Sequence, residues 1–438
     1  MAPAAALIEP GATLCAHDLG RSGPKGKVRG TGLSTRVVAK FGGTSVGSIE
    51  RIRHSAGLVA EAARRGEVMV VVVSAMAGET DRILGLTQDL GAGLGDPETD
   101  VALAAGEQVS SALMALALRE AGFQSRSFLG WQLPVITDGP AGAARIAGMD
   151  VSVLETAMEA GVIPVLAGFQ GITRDGDVRT LGRGGTDLSA AALAAALGAR
   201  CDIYTDVDGV YTTDPRIEPA AGQLDAISHD EMLELAAQGA KVLQTRSVEF
   251  AKARGVPMRV LSSFLEAGES RGTDVVSNRD VAERRIVSGV AYARDQARIA
   301  LVGTSNRSDL PARAFAALAE AGIGVDMIVQ AQARAAGSVT LEFSVAHRDL
   351  DRAQAALDAA LPGIDMTSET GLAKVSVVGS GLRQRADIAR SLFAVLGEQS
   401  IPVRVLATSE IKISALIEND AVERAVRALH AAYGLDQV

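Results

Sequence analysis

From Arg36 to about residue 262, short runs of β-branched apolar residues alternate with longer Ala- and Leu-rich stretches of helical period. This alternation constrains the fold more than any other feature of the chain. Apolar runs at 37–40, 68–74, 134–137, 163–168, 202–206 and 258–262 are separated by helical stretches near 48–65, 80–91, 101–121, 150–160, 187–198, 229–237 and 246–254. Near-continuous apolar runs suit strands buried on both faces, and intervening helices supply the crossovers that parallel strands require. The pattern predicts an α/β layer with a largely parallel sheet. In such sheets ligands sit at the carboxyl ends of the strands, so the loops after those strands are where chemistry is sought.

Beyond about residue 270 the texture changes. The polar segment SRGTDVVSNRDVAERR shows no strong period and reads as a linker. An internal repeat follows. ARIALVG (297–303) matches AKVSVVG (373–379), Ile323-Gly-Val325 matches Ile401-Pro-Val403, and SVTLEFSV (338–345) matches EIKISALI (410–417). Each copy reads β-α-β-β-α, a small ferredoxin-like unit, and two such units behind an α/β domain suggest paired binding modules. The expected boundaries are an extension over 1–35, a catalytic domain over 36–270, a linker over 271–296 and modules over 297–371 and 372–438.

With 438 residues the chain is too long for one small core. It carries 52 acidic and 43 basic residues, a formal net charge of −9. A chain this acidic is no general binder of nucleic acid, so an anionic ligand must be held by a local basic cluster. Nine Phe, four Tyr and one Trp are too few for base-stacking platforms. Two cysteines, Cys15 and Cys201, make no disulfide framework or zinc site and fit a reducing, cytoplasmic compartment. Five scattered His residues give no metal-ligand spacing, so no structural metal is expected. No run approaches the roughly 20 apolar residues that span a bilayer. Residues 1–35 place an apolar MAPAAALI before the basic residues, the reverse of a secretory signal, and read as a poorly ordered extension.

Several strand-end loops have the composition of ligand sites. VVAKFGGTS (37–45) offers a strand-end cation, Lys40, then Gly42 and Gly43, then a helix start. Glycines admit a phosphate close to the backbone, and a helix N-terminus presents N–H groups to it. A plain turn capped by Thr44 or Ser45 explains the same residues equally well. The segment TLGRGGTD (180–187) is the most unusual. A cap at Thr186 or Asp187 needs one residue, whereas this loop uses three glycines around Arg183, whose planar fork suits a carboxylate or phosphate. IYTDVDGVYTTDPR (203–216) contains Asp208-Gly209, the signal of a tight hairpin, and its spacing excludes an EF-hand. SAMAGET (74–80), Gly106-Glu107 and Gly239-Ala-Lys241 are weak singly, and Gly379-Ser-Gly381 lacks the third glycine of a dinucleotide site.

Taken in order, KFGGTS (40–45), SAMAGET (74–80), AGEQ (105–108), GFQG (168–171), TLGRGGTD (180–187), TDVDGVYTTDPR (205–216) and GAKV (239–242) resemble the aspartate kinases of the amino-acid-kinase family. The resemblance covers nearly all of the chain from about residue 36. It implies a three-layer sandwich with a mostly parallel central sheet, followed by two ACT modules. It implies ATP- and Mg²⁺-dependent phosphorylation of the L-aspartate β-carboxylate, the first step towards lysine, methionine and threonine. By position, Lys40 and the Gly42-Gly43 turn would meet the phosphates. Thr80, Glu107, Arg183 and Thr186 would hold aspartate, with Glu107 on the α-ammonium and Arg183 on the α-carboxylate. Thr205, Asp206, Tyr211, Arg216 and Lys241 would line the ATP site, and Asp187 would orient Lys40 and the reacting groups.

The physics agrees with these assignments. An aspartate side chain, of pKa about 4, is already ionised at neutral pH, so no general base is needed. What the reaction needs is alignment and relief of repulsion between a carboxylate and a triphosphate. The ACT modules imply feedback by lysine or threonine and at least a homodimer. Here the chain departs from the family pattern. Asn306-Arg-Ser-Asp309 and Leu382-Arg-Gln-Arg385 replace a D-x-P-G-like turn, while Thr408-Ser-Glu410-Ile411 is kept. Weakened or altered inhibition is therefore expected, with Asn306, Asp309, Thr408 and Glu410 as effector candidates. The competing readings are a kinase for another acid, glutamate or acetylglutamate, and a non-catalytic amino-acid sensor.

Overall fold

The computed structural model describes residues 35–237, 242–277, 286–304, 309–332 and 338–437. Its larger sheet comprises β1 (Arg36–Phe41), β2 (Val68–Val73), β3 (Ser125–Phe128), β6 (Ile163–Ala167), β9 (Arg200–Thr205), β10 (Ala226–Ser228), β11 (Met258–Ser262) and β12 (Thr273–Val276). The order is β10-β12-β11-β9-β1-β2-β6-β3, and every pair is parallel except β11 with β12. A smaller sheet, ordered β5-β4-β7-β8, is built from β4 (Val135–Asp138), β5 (Arg145–Met149), β7 (Gln170–Ile172) and β8 (Val178–Thr180). The apolar run at 134–137 thus belongs to this second sheet and not to the main one.

The helices are α1 (Ile49–Arg64), α2 (Glu79–Asp89), α3 (Pro97–Glu120), α4 (Ser152–Glu159), α5 (Gly185–Leu197), α6 (His229–Ala237) and α7 (Thr245–Arg254). Successive strand residues point to opposite faces, and here both faces are covered. Val38, Val70 and Val72 pack with Ala190, Leu193 and Ala194 of α5 and Val248 of α7. Val37, Ala39, Val71 and Val73 pack on the other side with Ile52 and Val59 of α1 and Met114 and Leu118 of α3. Three layers result, and two-sided burial explains why the strand runs read as continuously apolar.

Against the expectation of no such run, α3 is by length and mean hydropathy apolar enough to cross a bilayer. Just over half of that stretch is buried, and it carries the buried carboxylates Asp100 and Glu107. It packs against α1 and the sheet as a core helix.

Among its described residues the expected linker is largely strand. Residues 273–276 form β12 of the catalytic sheet. From Val287 the chain enters β13 (Val287–Thr304), which lies antiparallel to β16 (Asp365–Gly379). With β14 (Asp326–Gln332), β15 (Ser338–Ala346), β17 (Val405–Thr408) and β18 (Lys412–Glu418) they form one sheet ordered β14-β15-β13-β16-β18-β17. Helices α8 (Leu310–Glu320) and α9 (Leu350–Ala360) cover the first half, and α10 (Ala386–Glu398) and α11 (Val422–Ala432) the second.

β13 and β16 each run through both modules. Val287–Ala293 pairs with the second half of β16, and Arg298–Val302 with the first, across an irregularity where Asp295 has a positive φ of 57°. The boundary expected at 296/297 therefore divides a strand. Residues 287–293 belong to the second module's core, where Val287 and Val290 pack with Val375, Val377 and Val426. Residues 323–325 and 401–403 lead into β14 and β17 without being part of them. The expectation for the N-terminal extension falls outside the described residues.

Candidate active site

Lys40 is the penultimate residue of β1, flanked in register by Val72 of β2 and Ile203 of β9. It is only 8% exposed, and its Nζ lies 2.6 Å from Asp187 Oδ1. Asp187 sits in the first turn of α5 and caps nothing. The N-cap is Gly184, whose φ of 76° favours glycine and which makes no side-chain cap bond. A Cβ at Gly184 would also stand 2.3 Å from Gln244. The capping explanation of Thr186 and Asp187 therefore fails, and Thr44 and Ser45 do not cap α1, since Ser48 does. Gly43 lies where a Cβ would be 3.1 Å from the Ala75 carbonyl oxygen, and Gly106 of α3 where one would be 2.8 Å from Ala75 Cβ. The ends of β1 and β2 and the middle of α3 thus converge at Ala75. Ser45 closes the other side, its hydroxyl 2.7 Å from Ser263 Oγ after β11.

Glu107 is 3% exposed, and its Oε2 has no hydrogen-bond partner. Burial pushes its pKa up to about 7, against hydrogen bonding from the Ala75 backbone. A buried acceptor left open is costly, and its presence marks a place for a cation. Thr80 is half-buried in the first turn of α2. Arg183 is exposed between Gly182 and Gly184 and has no ion-pair partner among the described residues. Thr186 is buried against the Gly168-Phe169 loop, where a Cβ at Gly168 would come 2.6 Å from its methyl. Phe169 in that loop holds a φ of 68°, strain that is kept next to functional sites.

The 203–216 segment is no tight hairpin. After β9 it runs as an irregular loop with a single bridge between Tyr211 and Gln223. Thr205 is half-buried and donates to the exposed Asp206 at 3.1 Å. Tyr211 donates to Asp208 at 2.9 Å, and burial with this bond pushes the phenol up to about 12. Arg216 forms a two-point pair with Asp214, at 3.0 and 2.8 Å, which holds that carboxyl down at about 2. Asp214 also accepts from Tyr292 of β13 at 2.9 Å. The buried Thr212 hydroxyl lies 2.9 Å from His430 Nε2 of α11, its carbonyl accepts Val290 N–H, and Arg427 donates to the Ile217 carbonyl. The second module therefore holds this loop from behind. Tyr292 and His430 lie far from it in sequence and carry no motif, whereas Asp208, Thr212 and Asp214 stood in the quoted segment without being singled out.

Lys241 and Asn306 lie outside the described residues. Asp309 pairs with Arg313 at 3.4 Å, Glu410 faces Arg383 at 3.6 Å, and Thr408 is exposed at the end of β17. The candidates are thus split between a convergent site around Lys40, Asp187, Glu107 and Thr186, a flanking loop with Tyr211 and Arg216, and a separate set on the modules.

A strand-end lysine paired to a helix-borne aspartate, glycine turns and an open guanidinium over a parallel sheet define a phosphotransferase for a small anionic acceptor. Residues 35–262 match the amino acid kinase family, and residues 375–433 match an ACT domain. An aspartokinase of Geobacillus stearothermophilus is 45% identical over 400 residues, spanning 91% of this chain and 97% of the relative. One from Helicobacter pylori strain J99 is 44% identical over 407 residues, at 92% and 100% coverage. The crystal structure of E. coli aspartokinase III in complex with aspartate and ADP aligns at TM-score 0.70 and 27% identity, covering 90% of this chain and 99% of that one. The chain belongs to the aspartokinases of the amino acid kinase family.

Proposed function

We propose that this chain transfers the γ-phosphoryl group of ATP to the β-carboxylate of L-aspartate, giving 4-phospho-L-aspartate and ADP. The observation that carries this reading is the pair of unsatisfied groups beside the Lys40–Asp187 ion pair. Glu107 is a buried carboxylate with an open oxygen, and Arg183 is a guanidinium free of protein carboxylates among the described residues. They complement the ammonium and α-carboxylate of an amino acid. Relatives named for aspartate and a similar enzyme bound to aspartate and ADP support the same choice of substrates.

In the reaction a β-carboxylate oxygen attacks the γ-phosphorus, and the bond from that phosphorus to the β,γ-bridging oxygen breaks. Its electron pair leaves on ADP, and no proton needs to move. Lys40 screens the phosphates from the incoming carboxylate, and Asp187 fixes where its ammonium stands. The Gly42-Gly43 turn brings backbone close to the phosphates, and Thr186 and Thr80 border the acceptor. Tyr211 and Arg216 flank the nucleotide, with Thr205 and Asp206 at the end of β9.

Magnesium would neutralise phosphate charge. No group of three or more His, Cys, Asp or Glu that could hold a metal gathers among the described residues, which suits an ion carried by the triphosphate with a carboxylate such as Asp206. The ACT modules would bind an amino-acid effector weakly, because their turns lack Pro-Gly, and would pair two copies of the chain. The buried free thiol of Cys201 suits the cytoplasm.

Hydroxylamine trapping of the acyl phosphate tests the reaction. Product is expected with aspartate and not with glutamate or acetylglutamate, and Lys40→Ala should lower kcat by about 10²–10³. Turnover unchanged in Lys40→Ala would refute the site, and no aspartate-dependent product in the wild type would favour a sensor.

A further inference from the structure

Asp100 of α3 is fully buried, and no role in binding or chemistry has been given to it above. Its carboxylate accepts the Gly142 N–H at 3.0 Å on both oxygens, the Thr180 N–H at 3.0 Å and the Thr180 hydroxyl at 2.5 Å. Three donors, from the 139–144 loop and the end of β8, thus converge on one acceptor, with no basic side chain paired to it among the described residues. The two segments are further joined. Ala144 N–H donates to the Thr180 carbonyl at 3.0 Å, and a Cβ at Gly182 would sit 2.9 Å from the Gly142 carbonyl oxygen. Arg246 of α7 donates to the Leu181 and Ala144 carbonyls at 2.6 and 3.2 Å from the far side.

Seven residues further along α3, two helical turns and about 10 Å, is Glu107 on the same face. Three residues beyond Thr180 is Arg183. One rigid helix therefore carries the candidate group for the substrate ammonium and, through Asp100, anchors the root of the loop that carries the candidate group for the α-carboxylate. Between Thr180 and Arg183 stand only Leu181, whose N–H donates to Phe169 and whose carbonyl is held by Arg246, and Gly182.

We infer that Asp100 is a positioning residue that fixes Arg183 relative to Glu107 and so sets which amino-acid head group the site accepts. This rests on the assignment of Glu107 and Arg183 made above. Ionised aspartate is acceptor-only, whereas an asparagine in its place turns an N–H₂ towards a ring of donors. Asp100→Asn keeps the volume and loses the anchor. Arg183 then loses its set position, while Lys40, Asp187 and the nucleotide loop keep theirs.

The test compares L-aspartate with β-alanine, which keeps the amine and the reacting carboxylate but lacks the α-carboxylate that Arg183 would grip. In Asp100→Asn the KM for aspartate should rise at least about tenfold, with kcat within about threefold and the KM for ATP unchanged, while the inhibition constant of β-alanine moves less than about twofold. A purely structural role would weaken aspartate and β-alanine equally, and that result, or an unchanged aspartate KM, overturns the inference. Thr180→Val, which removes one donor and little volume, should shift aspartate alone by about threefold to tenfold and carries the test if Asp100→Asn does not fold. Arg183→Ala and Glu107→Gln are the controls. If Arg183→Ala leaves the aspartate KM intact, the substrate assignment itself is wrong; if it raises it and Asp100→Asn does not, only the positioning role fails.

Discussion

Glu107 offers the sharpest quantitative test, because one residue sets opposite demands on binding and on stability. Burial lifts its pKa from an ordinary 4.5 to about 7. An acid whose folded pKa lies above its unfolded pKa stabilises the fold fully below the unfolded value and loses that contribution as pH rises through the folded one. At pH 8 the ionised carboxylate therefore costs the free enzyme about 3 kcal/mol, and at pH 5 under about 1 kcal/mol. Glu107→Gln keeps the shape and removes the charge. It should make the protein more stable than wild type at pH 8, by about 3 kcal/mol in denaturant titrations, with the gain mostly gone at pH 5.

Binding runs the other way. An ammonium is held by the ionised form, so the apparent affinity for aspartate falls once pH drops below about 7. The wild-type KM for aspartate should rise about tenfold from pH 8 to pH 6, and that of Glu107→Gln, already high, should be flat. The reasoning is refuted if the stability gain of Glu107→Gln is the same at pH 5 and pH 8, or if the wild-type aspartate KM does not change with pH.

Gly184→Ala forces a side chain into a left-handed position already filled by Gln244; it should cost about 1–3 kcal/mol and raise the aspartate KM more than the ATP KM, as read by denaturation and initial rates. Tyr292→Phe removes a donor to Asp214 from outside the catalytic domain. It should raise the KM for ATP by about threefold to tenfold with that for aspartate unchanged, and equal effects on both substrates would show that the contact does not reach the nucleotide loop.

Much of the catalytic fold was legible because the strands of a doubly covered sheet have to be apolar throughout. β1, β2, β6, β9 and β11 all fall on runs marked in the sequence, and α5 announces itself by an alanine-rich face that must approach β1 closely. β3 was missed because SRSF is short and polar, pairs only with β6 at the sheet's edge, and is buried only at its two end residues. β12 was missed because TDVV pairs with β10 and β11 in a polar stretch whose partners lie elsewhere in the chain. The same limit applies to the site. Arg183 and Asp187 stand in a glycine-rich segment whose composition is wasteful for a plain turn, whereas the Lys40 segment reads equally well as a capped turn and is told apart only by its place in the ordered set of motifs. Asp100 has no such surroundings, since a buried carboxylate is recognised only by the donors that fold onto it. Asp208-Gly209 misled, because the residues that decide whether a turn becomes a hairpin belong to the second module.

The shared strands β13 and β16 have a consequence for dissection. Cutting the chain between Ala293 and Ala297 would strip the 287–293 strand from the second half of β16, leaving that half of the regulatory sheet with a hydrophobic edge ready to aggregate. The smallest regulatory fragment that keeps the second module's core whole must begin ahead of Val287, because Val287 and Val290 are part of that core.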